Sequence, residues 1–197
     1  MRTAPRTTSS AGSGTRGRPP QLSQEMIVAE AMRHDIRTMS LRTLAQALGV
    51  SHSALYRWVG GTDELIALIS RTVIERVLPT DSPTADTWEP WLRGIAVAMH
   101  DEFLAVPGFA SRTAGPHDHR PEVMNDLREA IIAGFRAAGA APESAQHSAY
   151  IFAVGIVGWL GALERDLEFG SPAPSYEIFL EWLLAGLPVG GHPTTSD

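Results

Sequence analysis

Eight side chains in and around residues 40–62 have the types and spacing needed to bind a polyanion. They carry hydroxyl, imidazole, phenol or guanidinium groups, all of which donate hydrogen bonds. The eight are Arg42, Thr43, Ser51, His52, Ser53, Tyr56, Arg57 and Thr62. Such groups contact phosphate oxygens and the edges of bases without any covalent chemistry. Taken singly, each has a structural explanation, such as a helix cap for Ser51 or packing for Tyr56, but the set indicates recognition of nucleic acid.

Two short helices joined by a tight turn are predicted to position these groups. An apolar stripe at helical spacing marks the first helix: Leu41, Leu44, Ala45 and Leu48. Gly49 then ends that helix, and Ser51 is a natural N-cap for the second one. The inner side of the second helix is expected to consist of Leu55, Trp58 and Val59. His52, Ser53, Tyr56 and Arg57 then point outward, where a helix can enter a groove of DNA.

The motif at residues 40–59 resembles the DNA-binding module of the tetracycline-repressor (TetR) family. The resemblance is carried by Leu44-Ala45, Gly49-Val50-Ser51 and Leu55-Tyr56 and covers about residues 22–78. It implies an all-α fold of about nine helices. An N-terminal three-helix helix-turn-helix domain would be followed by a C-terminal helical domain for ligand binding and dimerisation.

The resemblance also implies individual roles. Thr43, Tyr56 and Thr62 would contact phosphates, His52 and Ser53 would face base edges, and Arg57 could do either. Two positions depart from the family pattern. Thr62 replaces the usual Lys and is expected to cap the fourth helix, while Asp35 replaces a Gly and is expected to tolerate a left-handed backbone.

Four segments are predicted along the chain. Residues 1–21 form a disordered basic arm, and residues 22–78 form the DNA-binding domain with its linking fourth helix. Residues 79–190 form the effector-binding and dimerisation domain, and residues 191–197 form a flexible tail. Arg16 and Arg18 flank a glycine in the arm and could reach into a narrow minor groove, although a merely solvated tail is an equal alternative.

The charge distribution supports contact with DNA at one end of the molecule. Residues 1–78 contain ten Arg and six acidic residues, a balance of +4. Residues 79–197 contain six Arg and sixteen acidic residues, a balance of −10. A basic front on an acidic body suits a protein that meets a polyanion from one side, although chance asymmetry is the alternative.

Other classes of function have little support in the sequence. The chain has no Cys, which excludes disulfides and thiolate metal sites. No nucleophile motif, phosphate loop or paired carboxylate motif is present, so we expect no enzyme activity. His100 and the His117/His119 pair do not suffice for a metal site, and no cofactor is expected. The most apolar stretch, Ile151–Leu163, is short, and no signal peptide is present, so a cytoplasmic protein without membrane contact is expected.

Two C-terminal helices are predicted to form a dimer interface. The long helix over residues 142–168 is rich in small residues, which permit close approach of another helix, and the last helix is rich in large apolar residues. Together with the family resemblance, this favours a four-helix interface between two subunits over a hairpin buried within one. The expected interface residues are Ala153, Gly155, Gly158, Ala162, Phe179, Trp182 and Leu183.

The family resemblance further implies a cavity for a small-molecule effector in the second domain. Candidate lining residues are Trp91, Met99, His100, Phe103, Phe109, Met124, Leu127, Ile131, Tyr150, Val154 and Trp159. Ordinary core packing is the alternative for each. Their apolar and aromatic character favours an apolar or aromatic effector.

The combined prediction is a ligand-responsive, homodimeric transcriptional regulator that binds a palindromic operator on double-stranded DNA, most simply as a repressor. One alternative is a helical small-molecule-binding protein or enzyme that lacks DNA recognition. The outward surface between His52 and Arg57 argues against it. A second alternative is an architectural DNA-binding protein without an effector.

Overall fold

The computed structural model describes residues 22–115, 121–167 and 174–187. Within these ranges the chain forms nine α-helices and no strand, as the sequence predicts. The helices are α1 (Gln24–Ala31), α2 (Leu41–Ala47), α3 (His52–Leu55), α4 (Thr62–Val77), α5 (Trp88–Leu104), α6 (Phe109–Thr113), α7 (Pro121–Ala137), α8 (Pro142–Glu164) and α9 (Tyr176–Gly186). Arg16, Arg18, His117 and His119 lie outside the described residues.

Helices α1 to α4 pack together through the apolar stripes that the sequence predicts. Ser23 caps α1 by accepting a hydrogen bond from the backbone N–H of Met26 at 3.3 Å. Ser40 caps α2 in a reciprocal arrangement with Thr43. The core between these helices is formed by fully buried side chains: Ile27, Ala31, Leu44, Leu55, Leu65 and Ile69. The burial of these apolar side chains stabilises helices that are too short to be stable alone.

The remaining helices form a second layered cluster around α8. Helix α8 packs against α5, α6, α7 and α9, and α4 joins this cluster through α5 and α7. Phe135 of α7 meets Phe152 of α8 edge to face, with ring centroids 5.9 Å apart. Phe103 of α5 meets Phe109 of α6 in the same way at 4.9 Å. These aromatic pairs fix the helices relative to one another.

The glycines of α8 have three different environments. A Cβ at Gly161 would collide with the Cβ of Ala114 and lie 3.2 Å from the carbonyl oxygen of Ala110, so α6 approaches α8 very closely there. A Cβ at Gly155 would meet Leu183 of α9 at an ordinary 3.4 Å. At Gly158 a Cβ would have no heavy atom within 4 Å. Close helix packing therefore explains Gly161 best.

Helix α8 extends beyond Ile151–Leu163, the stretch that the sequence marks as the most apolar. With 23 residues, α8 is long and apolar enough to cross a membrane by length and composition. Its most apolar part is 33% buried inside the structure, and helices in the cores of soluble proteins can have the same length and composition.

Candidate nucleic-acid interface and ligand cavity

The turn between α2 and α3 is fixed by backbone geometry. Gly49 has a φ of +65°, in the left-handed region that favours glycine. The N–H of Val50 donates to the carbonyl oxygen of Ala45 at 3.0 Å, which closes the end of α2. The hydroxyl of Ser51 then accepts a hydrogen bond from the N–H of Ala54 at 3.2 Å and caps α3. These local bonds set the direction in which α3 leaves the scaffold.

Helix α3 has a buried side and a polar, exposed side. Leu55 and Val59 are 0% and 1% exposed and anchor the segment in the core. His52, Ser53, Tyr56 and Arg57 are exposed, and Tyr56 retains 47% of its accessible surface. The rings of His52 and Tyr56, one helical turn apart, meet edge to face with centroids 4.6 Å apart. The exposed side of α3 therefore presents hydrogen-bonding groups to solvent, and two of them, His52 and Tyr56, are held in place by their mutual ring contact.

Trp58 does not belong to the buried side, contrary to the sequence prediction. It is 39% exposed. The reason is that α3 ends at Leu55, after which the N–H of Trp58 donates to the carbonyl oxygen of Leu55 in a tighter i to i+3 bond of 2.9 Å. The regular helix has ended before this position, and Trp58 is left partly in contact with solvent.

Thr62 does not cap α4, which is a second difference from the prediction. The N-cap position is taken by Gly61, and no side chain caps the helix there. Thr62 is the first helical residue and is half-buried. Instead, the carboxylate of Glu64 accepts a hydrogen bond from the N–H of Gly60 at 2.6 Å and orders the turn before α4.

The other predicted contact residues of α2, Arg42 and Thr43, are both exposed. The hydroxyl of Thr43 donates to the carbonyl oxygen of Ser40 at 2.8 Å, so this side chain also stabilises the start of α2. Arg42 has no ion pair with the residues that the structure describes. Arg42, His52, Ser53, Tyr56, Arg57 and Trp58 together are called the α2–α3 polar surface below.

A cavity of about 680 Å³ lies between α6, α7 and α8. This volume is typical of sites for small organic molecules. Five of the eleven predicted ligand-binding residues line it: Met124, Leu127, Ile131, Tyr150 and Val154. Further lining residues, which the sequence analysis did not single out, include Arg128, Ile132, Arg136, Gln146, Ala149 and Val157. Ala153 and Gly158, predicted as interface residues, also line it.

The other six predicted ligand-binding residues lie outside this cavity. Met99, Phe103 and Phe109 are buried in the core, which is the alternative that the sequence left open. The indole of Trp91 donates to the carboxylate of Asp81 at 3.2 Å. The remaining two, His100 and Trp159, contact aromatic side chains of α9.

The α9 contacts form an aromatic cluster that fixes this helix to the body. Trp159 stacks on Phe179 with ring centroids 4.4 Å apart, and His100 lies 4.7 Å from the ring of Tyr176. The phenol of Tyr176 donates to the carbonyl oxygen of Ala96 at 2.8 Å. Burial, and secondarily the charge of Asp101, raises the pKa of this phenol above its ordinary value, so the group remains a donor.

The predicted interface residues divide between contacts within the chain and an open surface. Phe179 and Leu183 pack against Trp159 and Gly155 of their own chain. Trp182 is 70% exposed on the other side of α9. The exposed large apolar side chains of α8 and α9 are Tyr150, Ile151, Val154, Leu163, Ile178 and Trp182. Tyr150 and Val154 also line the cavity, and the other four, Ile151, Leu163, Ile178 and Trp182, are called the α8–α9 apolar face below.

Helix α6 connects the cavity to the loop between α1 and α2. Its last residue, Thr113, and the two residues that follow it line the cavity. Just before its N-terminus, the carbonyl oxygen of Pro107 accepts a hydrogen bond from the N–H of Ile36 at 3.0 Å. The carboxylate of Glu164, at the end of α8, accepts hydrogen bonds from the N–H groups of Gly108 at 2.7 Å and Ser111 at 2.8 Å. One carboxylate therefore fastens α8 to α6.

The loop between α1 and α2, which contacts Pro107 through Ile36, is ordered by an ion pair. The carboxylate of Asp35 accepts hydrogen bonds from the backbone N–H of Arg37 at 2.9 Å and from its guanidinium at 2.6 Å. The guanidinium bond holds the pKa of Asp35 below its ordinary value. The backbone at Asp35 is not left-handed, contrary to the prediction, because a side-chain bond orders the loop instead. A Cβ at Gly108, whose φ is +83°, would collide with this carboxylate.

Within residues 22–115, 121–167 and 174–187, no three acidic or histidine side chains converge on a possible metal position. The imidazole of His100 lies 2.9 Å from the carboxylate of its neighbour Asp101, with no third group of this kind.

No protein-family model and no curated protein sequence matches the chain, whereas solved structures match over most of its length. ActR of Streptomyces coelicolor, a TetR family protein solved with actinorhodin, matches with a TM-score of 0.65 at 21% identity over 86% of this chain and 96% of that one. BioQ with its double-stranded DNA operator matches with a TM-score of 0.64 at 22% identity over 85% and 98%. BioQ of Mycobacterium smegmatis matches with a TM-score of 0.66 at 23% identity over 87% and 100%. From α1 to α9, this chain has the fold of the TetR-family regulators.

Proposed function

We propose that this protein is a ligand-responsive, DNA-binding transcriptional regulator that acts in the cytoplasm as a repressor. The observation that carries the proposal is the α2–α3 polar surface, held outward by the buried side chains of Leu55 and Val59. A similar fold binds an operator in BioQ, and another binds actinorhodin in ActR. Residues 22–78 would be the DNA-binding domain and residues 79–190 the effector-binding and dimerisation domain.

Helix α3 would enter the major groove, with His52 and Ser53 at base edges. Tyr56 and Arg57 are exposed at its C-terminal end, where they would contact phosphates or bases. Thr43 and Thr62 would approach the phosphates on either side. Arg16 and Arg18, in the N-terminal arm, would add contacts in the minor groove.

A single α3 offers few contacts, so two copies are needed for tight and specific binding. The α8–α9 apolar face supports a homodimer, because Trp182 and Ile151 are 70% and 50% exposed and would be covered by the same face of a second copy. Two recognition helices about 34 Å apart would then read a palindromic operator.

The effector would bind in the cavity between α6, α7 and α8. A molecule placed there touches α6, whose other end contacts Ile36 in the loop before α2. If the effector fits the cavity better in the state that cannot bind DNA, it lowers operator affinity by the same coupling free energy with which DNA lowers effector affinity.

The first experiment is selection of bound sequences from a random pool of double-stranded DNA. We expect a palindrome with half-sites one helical turn apart, bound with an affinity that falls steeply between 50 and 200 mM salt. A pool that remains random after repeated rounds would contradict DNA recognition.

The second experiment tests the named surface. We expect Tyr56→Ala combined with Arg57→Ala to lower operator affinity by a factor of about 100 or more, because each side chain removes a contact with DNA. Circular dichroism and oligomeric state should be unchanged, because both residues are exposed. The control is Arg93→Ala, which removes an arginine from α5 that pairs with Glu89. Equal operator affinity in the double variant and the control would refute the assignment.

A further inference from the structure

The cavity between α6, α7 and α8 combines apolar walls with one unpaired cation. We propose that its ligand is an elongated apolar molecule that carries a single anionic group, and that the guanidinium of Arg136 binds that group. This inference rests on the proposed effector role of the cavity and specifies the chemical class of the effector.

The middle of the cavity is apolar. Facing side chains of α7 and α8 form its walls, among them Leu127, Ile131, Ala149, Ala153 and Val157. Leu127 and Ile131 are almost fully buried by the protein itself, so these walls are firmly packed. Such walls select a ligand whose body is apolar, since each buried CH₂ group contributes about 0.8 kcal/mol.

The charges of the residues that line the cavity do not sum to zero. Arg128, Glu129 and Arg136 are the charged residues that line the cavity. Arg128 is bound to Glu129, with 2.9 Å between its guanidinium nitrogen and the carboxylate oxygen. Arg136 has no carboxylate within bonding distance among the residues that the structure describes. One positive charge therefore remains available, and it can bind one anionic group.

The positions of the charges along α7 suggest how the ligand lies. Arg128 and Arg136 are two turns apart, about 12 Å along the helix axis. Because α7 and α8 are joined by a short turn, Arg136 lies at the same end of the cavity as Pro142 and Gln146. Ala114 of α6 lines the opposite end. The anionic group would face Arg136 and the amide of Gln146, and the apolar end would reach α6.

A second anionic group is disfavoured by the same arrangement. Farther along the cavity Arg128 is paired with the adjacent Glu129, both of them exposed, and apart from Arg136 the other lining residues carry no positive charge. An anion buried without a partner is costly, whereas a carboxylate or sulfonate paired with a guanidinium gains a charge-assisted hydrogen bond.

Two fluorescent dyes that share one apolar body test this inference. The first, 1-anilinonaphthalene-8-sulfonate, carries one sulfonate, and the second, N-phenyl-1-naphthylamine, is the same body without it. We expect the wild-type protein to bind the sulfonate dye at least several times more tightly. Arg136→Gln should weaken sulfonate binding about tenfold and change binding of the neutral dye less than about twofold.

The matched control is Arg128→Gln, which removes the same charge from the same helix but from a paired residue. We expect it to change sulfonate binding less than Arg136→Gln does. A second control, Val157→Trp, fills the middle of the cavity and should weaken both dyes while circular dichroism shows the helices intact.

Four outcomes would overturn the inference: equal affinity for both dyes, equal effects of the two arginine variants, undiminished binding to Val157→Trp, or no binding of either dye. None of these measurements uses DNA. Failure of the proposed function would instead appear as a random pool after DNA selection, even if the dyes discriminate as expected.

Discussion

At the scale of single residues, α3 shows where sequence periodicity is a good guide and where it fails. Leu55 is fully buried, as predicted, because it lies within the helix and faces the core. Trp58 comes after the helix has ended and is 39% exposed. The residue types were insufficient to place it, since an indole suits either a core or a binding surface.

The stability of two variants should reflect this difference. We expect Leu55→Ala to lower the free energy of unfolding by about 2–5 kcal/mol, because it leaves a cavity in the core. Trp58→Ala should cost only about 1 kcal/mol, because part of its side chain is already in water. Urea denaturation followed by circular dichroism measures both. If the Trp58 variant proved the less stable of the two, the placement of α3 would be wrong.

At the scale of elements, the starts and ends of helices are predictable from sequence because the signals for them are local. Ser23, Ser40, Ser51 and Ser175 all act as N-caps. Gly49 ends α2 with a positive φ. Contacts between helices are not local, so the sequence could not show that the predicted apolar residues of α5 lie outside the cavity and that those of α7 line it.

The joint between α6 and α8 also depends on residues far apart in sequence. Glu164 is separated by 56 positions from Gly108 and by 53 from Ser111, whose N–H groups it binds. No sequence motif predicts that an acid at the end of one helix will accept hydrogen bonds at the start of another. This joint emerges only from the packed structure.

Removing this acceptor should weaken the joint. We expect Glu164→Gln to lower the free energy of unfolding by about 1–3 kcal/mol, because an amide cannot accept from both N–H groups as the carboxylate does. It should also reduce the effect of a cavity ligand on DNA affinity. The matched control is Glu143→Gln, on the exposed first turn of the same helix.

The two readouts for this variant are chemical denaturation and operator affinity with and without the sulfonate dye. The ratio of operator affinity without the dye to that with the dye is compared between Glu164→Gln and the wild-type protein. If the two proteins gave the same ratio, α6 would not carry the signal from the cavity.

At the scale of the whole molecule, the sequence predicts a helical fold with a basic N-terminal part and an acidic body, and the observed helices agree with it. The interface residues stay a prediction. Small residues in α8 allow the close approach of α6 at Gly161 and an ordinary contact with α9 at Gly155, so they do not by themselves identify a contact between subunits. The exposed apolar side chains are the better indication.

The α8–α9 apolar face leads to a prediction about assembly. We expect Trp182→Glu to shift the protein from dimer to monomer at micromolar concentration, because a carboxylate would be buried without a partner between two copies. Helicity should be retained, since Trp182 is 70% exposed in the single chain. Analytical ultracentrifugation measures the shift, with Trp58→Ala as a control on another surface. A variant that remains dimeric would place the interface elsewhere.

The contact between Gly161 and Ala114 has a genetic consequence. A Cβ at Gly161 would collide with the Cβ of Ala114 and approach the carbonyl oxygen of Ala110, so any larger residue there must displace α6 and α8 relative to each other, whether or not a small molecule is present. In the proposed repressor, such a displacement acts on the helix that a ligand in the cavity would touch, so a screen for alleles that keep the target genes permanently expressed should recover changes at Gly161. Their products should fold and form the proposed dimer.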